Sequence, residues 1–168
     1  MNWRILKVKI GVISDTHIRS STKLLPNIIY KVFDGVDAIF HAGDILIDEV
    51  IIELETIAPV YAVAGNNDSY EMLYKYGTKR IIEANGKRIG LTHGTSRVNA
   101  YAGAYSMFAK NNVDCVVYGH SHKPHNEVID GVLFFNPGSP ISKRFEPRYS
   151  LGLLHVDRDI RGEIIYFD

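Results

Sequence analysis

The feature that most constrains the fold is an alternation of strand-like and helix-like runs in the first half of the chain. The strand-like runs are short, rich in β-branched residues and end at Gly, Asp or Asn; they cover residues 8–14, 37–43 and 59–65. Apolar residues at helical spacing fill the intervals 21–33, where Ser21 or Thr22 is the expected N-cap, and 47–57. A strand–helix–strand–helix–strand order predicts right-handed crossovers and a largely parallel sheet.

The second half of the chain has a different pattern. Asn85-Gly86 separates two strand-like runs and is a strong signal for a two-residue hairpin turn. A helix is predicted over 98–112 and a buried strand over 114–120, followed by short strands at 125–130, 131–138, 150–157 and 160–167. A parallel half followed by an antiparallel half predicts two sheets packed face to face with helices outside. No linker interrupts the pattern, so we expect one domain over residues 1–168.

Composition excludes several classes of function. The chain carries 19 basic and 19 acidic residues, so no overall field favours nucleic acid or an anionic membrane, and sequence-specific nucleic-acid binding is not expected. No apolar run reaches the ~18 residues of a membrane span. Cys115 is the single cysteine, which rules out an internal disulfide and favours a cytoplasmic location.

Polar residues with metal-binding groups follow the strand-like runs. In open α/β sheets, ligands bind beyond the carboxyl ends of the strands, so we expect these side chains to meet at one edge. The set comprises Asp15, His17, Asp44, Asn66, His93, His120 and His122.

Two of these residue pairs have i, i+2 spacing. On an extended backbone the side chains at i and i+2 point to the same side, so Asp15 with His17, and His120 with His122, are each predicted to aim two ligands at one place. Gly119 is expected to let the chain bend where His120 and His122 turn inward.

The number of candidate ligands indicates two metal ions. Two carboxylates, one amide and four imidazoles are too many for one tetrahedral site but suit two ions that share a carboxylate. Mixed imidazole and carboxylate ligands favour Mn²⁺, Ni²⁺, Co²⁺, Fe²⁺ or Zn²⁺ over an all-oxygen Ca²⁺ or Mg²⁺ site, and Mn²⁺ is our first expectation. Such a centre attracts phosphate although the whole chain is neutral.

The ordered motifs D-x-H, G-D, G-N-x-D, T-H-G and G-H-x-H resemble the calcineurin-like metallophosphoesterase superfamily. The short chain and the loop NPGS at 136–139 resemble its small prokaryotic phosphodiesterases. The resemblance implies an α/β fold, a four-layer αββα sandwich of two mixed β-sheets flanked by helices. It also implies a dinuclear centre in which a metal-bridging hydroxide attacks phosphorus.

The same resemblance implies a division of the ligands between the two ions. Asp44 would bridge the ions. One ion would be held by Asp15, His17 and His122, and the other by Asn66, His93 and His120.

One position departs from the family pattern. Many members have a histidine where this chain has Asn67, and an amide donates a hydrogen bond to phosphate but cannot act as a general acid near neutral pH. We therefore expect Asn67 to contact substrate and to favour diesters with acidic leaving groups. Asp68, which would orient the missing histidine, is expected to hold the GNND loop instead. Arg144, in a basic run, has two interpretations: a solvated side chain or one that binds a phosphate oxygen of the substrate.

The main hypothesis is a divalent-metal-dependent phosphodiesterase acting on a small-molecule phosphodiester. A phosphomonoesterase or nucleotidase is the alternative, and a non-catalytic scaffold of the same fold is the third. The aromatic-rich stretch SYEMLYKYG at 69–77 favours packing in the core or between the subunits of a dimer or tetramer over stacking on an aryl group. His41 is interpreted as orienting a ligand, and Cys115 as an inert core thiol.

Overall fold

The computed structural model describes residues 7–168, which form ten strands and four helices. The strands β1 to β10 are Val8–Ile13, Ala38–His41, Val60–Ala62, Lys79–Ala84, Lys87–Thr92, Cys115–Val117, His125–Ile129, Val132–Asn136, Tyr149–Val156 and Ile160–Phe167. The helices α1 to α4 are Asn27–Val32, Asp48–Glu55, Tyr70–Tyr76 and Ala100–Phe108. None of these helices is long and apolar enough to cross a bilayer.

The first sheet has the strand order β10-β9-β1-β2-β3. Its strands β1, β2 and β3 are parallel, which confirms the crossovers predicted from the first half of the chain. The C-terminal hairpin of β9 and β10 adds to the same sheet, with β9 antiparallel to β1. The central position of β1 places the residues that follow it in the middle of the sheet edge.

The second sheet has the order β4-β5-β6-β8-β7. Asn85 and Gly86 both have positive φ, 50° and 77°, as the predicted two-residue turn between β4 and β5 requires. Strands β5, β6 and β8 are parallel to one another, whereas β4 and β7 are antiparallel to their neighbours. The expected split into a parallel half and an antiparallel half is therefore wrong. The first sheet is mixed because the terminal hairpin pairs with β1, and the second because β5, β6 and β8 are parallel.

The two sheets pack face to face and carry helices on their outer faces. Buried side chains from both sheets fill the inner layer, among them Val12, Phe40, Leu91 and Phe135. Helices α1 and α2 cover the outside of the first sheet, and α4 covers the outside of the second. The predicted four-layer αββα sandwich is confirmed.

Helix α1 is shorter than predicted. It begins at Asn27, and Pro26 occupies the N-cap position, so neither Ser21 nor Thr22 caps it. A proline disfavours helical geometry in the residue before it, which here is Leu25. The backbone N–H of Leu25 donates instead to the Glu53 carboxylate, at 3.1 Å. Helices α2 and α4 lie within their predicted intervals.

Helix α3 was not predicted. It begins after Ser69, whose hydroxyl accepts a hydrogen bond from the backbone N–H of Met72 at 3.2 Å and so caps the helix. Met72 is the buried side chain of this helix, so the apolar periodicity that identifies a surface helix is weak. From the sequence, the stretch was interpreted through its aromatic residues as a packing surface, and no helix was predicted there.

Candidate metal centre

All seven predicted ligands lie beyond the carboxyl ends of strands β1, β2, β3, β5 and β6. Asp15 and His17 follow β1, Asp44 follows β2, and Asn66 follows β3. On the second sheet, His93 comes directly after β5, and the GHSH loop with His120 and His122 follows β6. The contacts described below join these side chains into one continuous cluster at the edge that the sequence predicted.

The backbone of this cluster is not extended. Five of the seven residues have φ in the left-handed region, between 49° and 69°: Asp15, His17, Asp44, His120 and His122. The expectation that each i, i+2 pair lies on an extended strand is therefore wrong, because each strand ends before its pair. Non-glycine residues in this region are uncommon and concentrate at functional sites.

The two i, i+2 pairs behave differently. Asp15 and His17 converge, with the carboxylate Oδ1 3.7 Å from the imidazole Nε2. His120 and His122 diverge to the two ends of the cluster. The ring of His122 stacks on His17 at 5.1 Å between centroids, whereas His120 packs edge-on against His93 at 5.0 Å. The GHSH loop thus spans both halves of the predicted centre.

Asp15 is fully buried, and only one of its two carboxylate oxygens accepts hydrogen bonds from the described residues. Its Oδ2 accepts hydrogen bonds from the Ser14 hydroxyl at 2.6 Å and from the His120 backbone N–H at 3.0 Å. Its Oδ1 has no hydrogen-bond partner among the described residues and lies 3.2 Å from Nε2 of His122. Ser14 was missed from the sequence; its position directly before the DTH motif is the signal that identifies it.

Two imidazoles direct a lone pair into the cluster. Nδ1 of His93 donates to the carbonyl of Ala42 at 2.7 Å, and Nδ1 of His122 donates to the carbonyl of Ser142. With the proton on Nδ1, Nε2 of each ring presents its lone pair to carboxylate oxygens. Lone pairs that face one another repel unless a cation lies between them, so these residues fit divalent metal ions.

Asp44 lies between the two halves of the cluster. Its Oδ2 is 3.4 Å from Nε2 of His17 and also 3.4 Å from Nε2 of His93. These two imidazoles belong to different predicted ions, so Asp44 lies near donors of both, and its role as the shared ligand stays a prediction. Nε2 of His93 is in turn 3.1 Å from Oδ1 of Asn66.

The titratable groups favour a positive ion in the centre. Burial raises the pKa of Asp15, but the imidazoles of His122 and His17 outweigh it, and the pKa falls well below the usual range. Burial also raises the pKa of Asp44, yet the neighbouring His93 imidazole and the hydrogen bonds from Asn67 bring it to about 2. Burial lowers the pKa of His93, and the carboxylates of Asp44 and Asp15 reverse this and raise it. Both carboxylates are therefore ionised at neutral pH.

Two overlapping groups of donors meet the spacing of a metal site, each with its atoms within 4.8 Å of one another. One contains Asp15, His17 and His122, and the other contains Asp15, Asp44 and His93. Asn66 and His120 adjoin the second group through His93. The donors present fit two adjacent metal ions.

His41 contacts the loops that carry the ligands. Its Nδ1 accepts from the backbone N–H of Gly43 at 3.2 Å, and its Nε2 donates to the hydroxyl of Thr16 at 3.1 Å. Burial lowers the pKa of His41 to about 3, so the ring stays neutral. Thr16 lies between two candidate ligands, and this position fits the orienting role expected for His41.

The predicted substrate contacts lie beside the centre. The side-chain amide of Asn67 donates to Oδ2 of Asp44 at 2.7 Å, so its donor is engaged with a carboxylate, and a contact with phosphate stays a prediction. Asp68 accepts from the N–H groups of Leu46 and Gly65, both at 2.7 Å, and so holds the GNND loop. Arg144 is exposed, and its charge adds to the effect of burial and of His93 in lowering the pKa of His120.

The NPGS loop joins two of the ligand loops. The side-chain amide of Asn136 donates to the carbonyl of Gly119 at 2.8 Å, and the hydroxyl of Ser139 donates to the carbonyl of Asp15 at 2.8 Å. The structure places this loop as a brace between the DTH and GHSH segments.

The model of the calcineurin-like phosphoesterase superfamily domain matches residues 8–159, a span that contains every candidate ligand. The chain belongs to the calcineurin-like phosphoesterase superfamily. As a member of that superfamily, it has a phosphoester-hydrolase fold and residues suited to divalent metal ions.

Several superfamily members resemble this one closely. A probable metallophosphoesterase of Methanothermobacter thermautotrophicus is 34% identical over 93% of this chain and 91% of its own length. A phosphodiesterase of Methanocaldococcus jannaschii is 32% identical over 78% of this chain and 83% of its own length. The crystal structure of Vps29 from Entamoeba histolytica complexed with Zn²⁺ superposes with a TM-score of 0.72 at 22% identity, covering 96% of this chain and 100% of that one, and so shows the same fold.

Proposed function

We propose that this superfamily member is a divalent-metal-dependent phosphodiesterase with a dinuclear centre. The observation that carries the proposal is the position of Asp44 Oδ2, at 3.4 Å from the imidazole Nε2 atoms of both His17 and His93. A carboxylate oxygen that faces one donor from each group suits a ligand shared by two ions.

The chain's own residues account for the binding of the ions. Asp15 and Asp44 supply two buried negative charges, and the Nδ1 hydrogen bonds of His93 and His122 fix which nitrogen faces the ions. When bound, two divalent ions would activate a water molecule for attack on phosphorus and neutralise the charge of the displacement. The exposed Arg144, whose charge contributes to lowering the pKa of His120, is our candidate for binding a phosphate oxygen of the substrate.

The preference for diesters rests on Asn67. An amide cannot protonate a departing alkoxide, so the site is suited to leaving groups that depart without a proton. The contact between the Asn67 amide and Asp44 also ties this side chain to the proposed shared ligand. The relative from M. jannaschii is named a phosphodiesterase, which supports the same preference.

Hydrolysis of two nitrophenyl esters tests the proposal. The purified protein is stripped of metal, and turnover of bis-p-nitrophenyl phosphate and of p-nitrophenyl phosphate is measured after separate addition of Mn²⁺, Ni²⁺, Co²⁺, Zn²⁺ and Mg²⁺. We expect metal-restored turnover that prefers the diester, is highest with Mn²⁺, and is lost in Asp44→Ala. A preference for the monoester would assign a phosphatase, and an absence of turnover with every metal would favour a binding protein of the same fold.

A further inference from the structure

A cavity of about 580 Å³ opens directly onto one side of the metal centre. Asn66 and His93 form part of its wall, so a phosphate held at these ligands has access to it. Tyr70 and Leu73 of α3 line one side and Met107 of α4 lines the other. Its volume lies within the range of small-molecule pockets.

The apolar side chains of this cavity are exposed to solvent. Tyr70 is 91% exposed, Leu73 39% and Met107 37%. A tyrosine ring, a leucine and a polarizable methionine around one concavity offer contacts to an aromatic or aliphatic group. Burying them against a ligand removes apolar surface from water, which is favourable.

The cavity carries no group matched to a second anion. Neither Lys nor Arg occurs among the described residues of its wall. Lys79, near α4, has its ammonium bonded to the carbonyl of Met107 and to the side chain of Asn111, each at 2.7 Å. The carboxylate of Asp68 accepts two backbone N–H groups and adds a negative charge. An uncharged group is therefore favoured over a phosphorylated one.

We propose that this cavity binds an uncharged aromatic or aliphatic ester arm of the phosphodiester, while the phosphate lies at the metal centre. This inference rests on the proposed function and adds a substrate class to it: diesters with one bulky apolar arm, such as an aryl or nucleoside ester. Tyr70 then serves binding, contrary to the packing role favoured from the sequence for the stretch 69–77, whereas Tyr76 does pack against the core.

Helix α3 offers a matched control. Tyr74 lies one turn after Tyr70 on the same helix and is 96% exposed, but it is not part of the cavity wall. Replacing either tyrosine by alanine removes the same exposed side chain from the same helix, so both variants should fold. A difference between Tyr70→Ala and Tyr74→Ala therefore reports on the cavity alone.

The test compares a ligand that has aryl arms with one that has none. For wild type, Tyr70→Ala, Leu73→Ala and Tyr74→Ala, loaded with the best metal, we would measure KM and Kd for bis-p-nitrophenyl phosphate and the inhibition constant of inorganic phosphate. We expect Tyr70→Ala and Leu73→Ala to raise KM and Kd about fivefold or more, with kcat and the phosphate constant unchanged and Tyr74→Ala equal to wild type.

The outcomes separate this inference from the proposed function. Equal KM values in all four proteins, or parallel losses of diester and phosphate binding, would overturn the role of the cavity while leaving the phosphodiesterase intact. A wild type that binds the diester without turnover would end the proposed function, and the Kd values would still decide whether the cavity holds the aryl arm. A wild type that neither binds nor hydrolyses the diester would end both.

Discussion

The two halves of the metal centre differ in how far they are enclosed. One half is formed by Asp15, His17 and His122. Asp15 and His122 are buried there, with 0% and 1% of their surfaces exposed. In the half formed with His93, the side chain of Asn66 is exposed and His120 is only partly buried. The halves differ in degree, since His17 of the first half is partly exposed and His93 of the second is buried, with 2% exposure.

The difference follows from where the chain places each half. The enclosed half follows β1, the central strand of its sheet, and the hydrogen bond from Ser139 braces it. The open half adjoins the cavity beside α3. If two ions bind as proposed, the prediction is that the enclosed half binds its ion more tightly than the open half.

The largest effect is expected from removing a ligand of the enclosed half. His122→Ala should lower metal-restored turnover by about 10³-fold, because it breaks the tighter site and leaves the buried Asp15 carboxylate without its neighbour. Asn66→Ala should weaken one of two bound ions by about tenfold and recover activity at high metal concentration. Steady-state kinetics measures turnover in both variants, and metal titration calorimetry with elemental analysis measures their metal affinity and metal content. Equal losses from the two variants would remove the distinction between the halves.

A second prediction concerns the close approach of two ligand loops. A Cβ atom added at Gly65 would lie 2.2 Å from Oδ1 of Asp44. Gly65→Ala should therefore displace Asp44, lower turnover by about 10–100-fold, and destabilise the fold by about 1–3 kcal/mol. Thermal unfolding and metal affinity would be measured together.

Gly131 provides the control for that substitution. It has a φ of 80°, but a Cβ atom there would meet nothing within 4 Å. Gly131→Ala should cost about 1 kcal/mol of backbone strain and leave turnover unchanged. If Gly65→Ala retained the wild-type metal affinity, the close approach of Gly65 to Asp44 would not be needed for metal binding.

A smaller effect is expected at Asn67. Asn67→His introduces a side chain able to protonate a leaving group, so hydrolysis of alkyl phosphates should rise by about 10-fold while that of nitrophenyl esters changes little. The ratio of the two rates is the quantity to measure. An unchanged ratio would show that Asn67 acts through its hydrogen bond to Asp44 and not through the leaving group.

The smallest effect is expected at the brace. Ser139→Ala removes the hydrogen bond to the Asp15 carbonyl, which should lower the free energy of unfolding by about 1 kcal/mol. Turnover should fall only about twofold, since every ligand remains in place. Chemical denaturation and steady-state kinetics measure the two quantities. If Ser139→Ala lost as much turnover as His122→Ala, the hydrogen bond from Ser139 would be required for metal binding in the enclosed half.

Much of the fold was predictable because local signals and packing agree. The Asn85-Gly86 turn and the first three strands follow from residue types that leave few conformations open. Helix α3 was missed because it buries little beyond Met72, so its sequence lacks a strong amphipathic pattern. The sheet to which the terminal hairpin adds could not be predicted either, since that depends on which edge of β1 remains free.

By itself the sequence determined which residues gather at the candidate metal centre, because strand ends and glycines mark where polar side chains meet. Tertiary structure alone decided their conformation and their exposure. The left-handed φ values of residues such as Asp15 and His122 persist only because packing around them outweighs the local strain. Likewise, only the meeting of α3 and α4 beside His93 creates the cavity. No residue within either helix encodes its distance to the other.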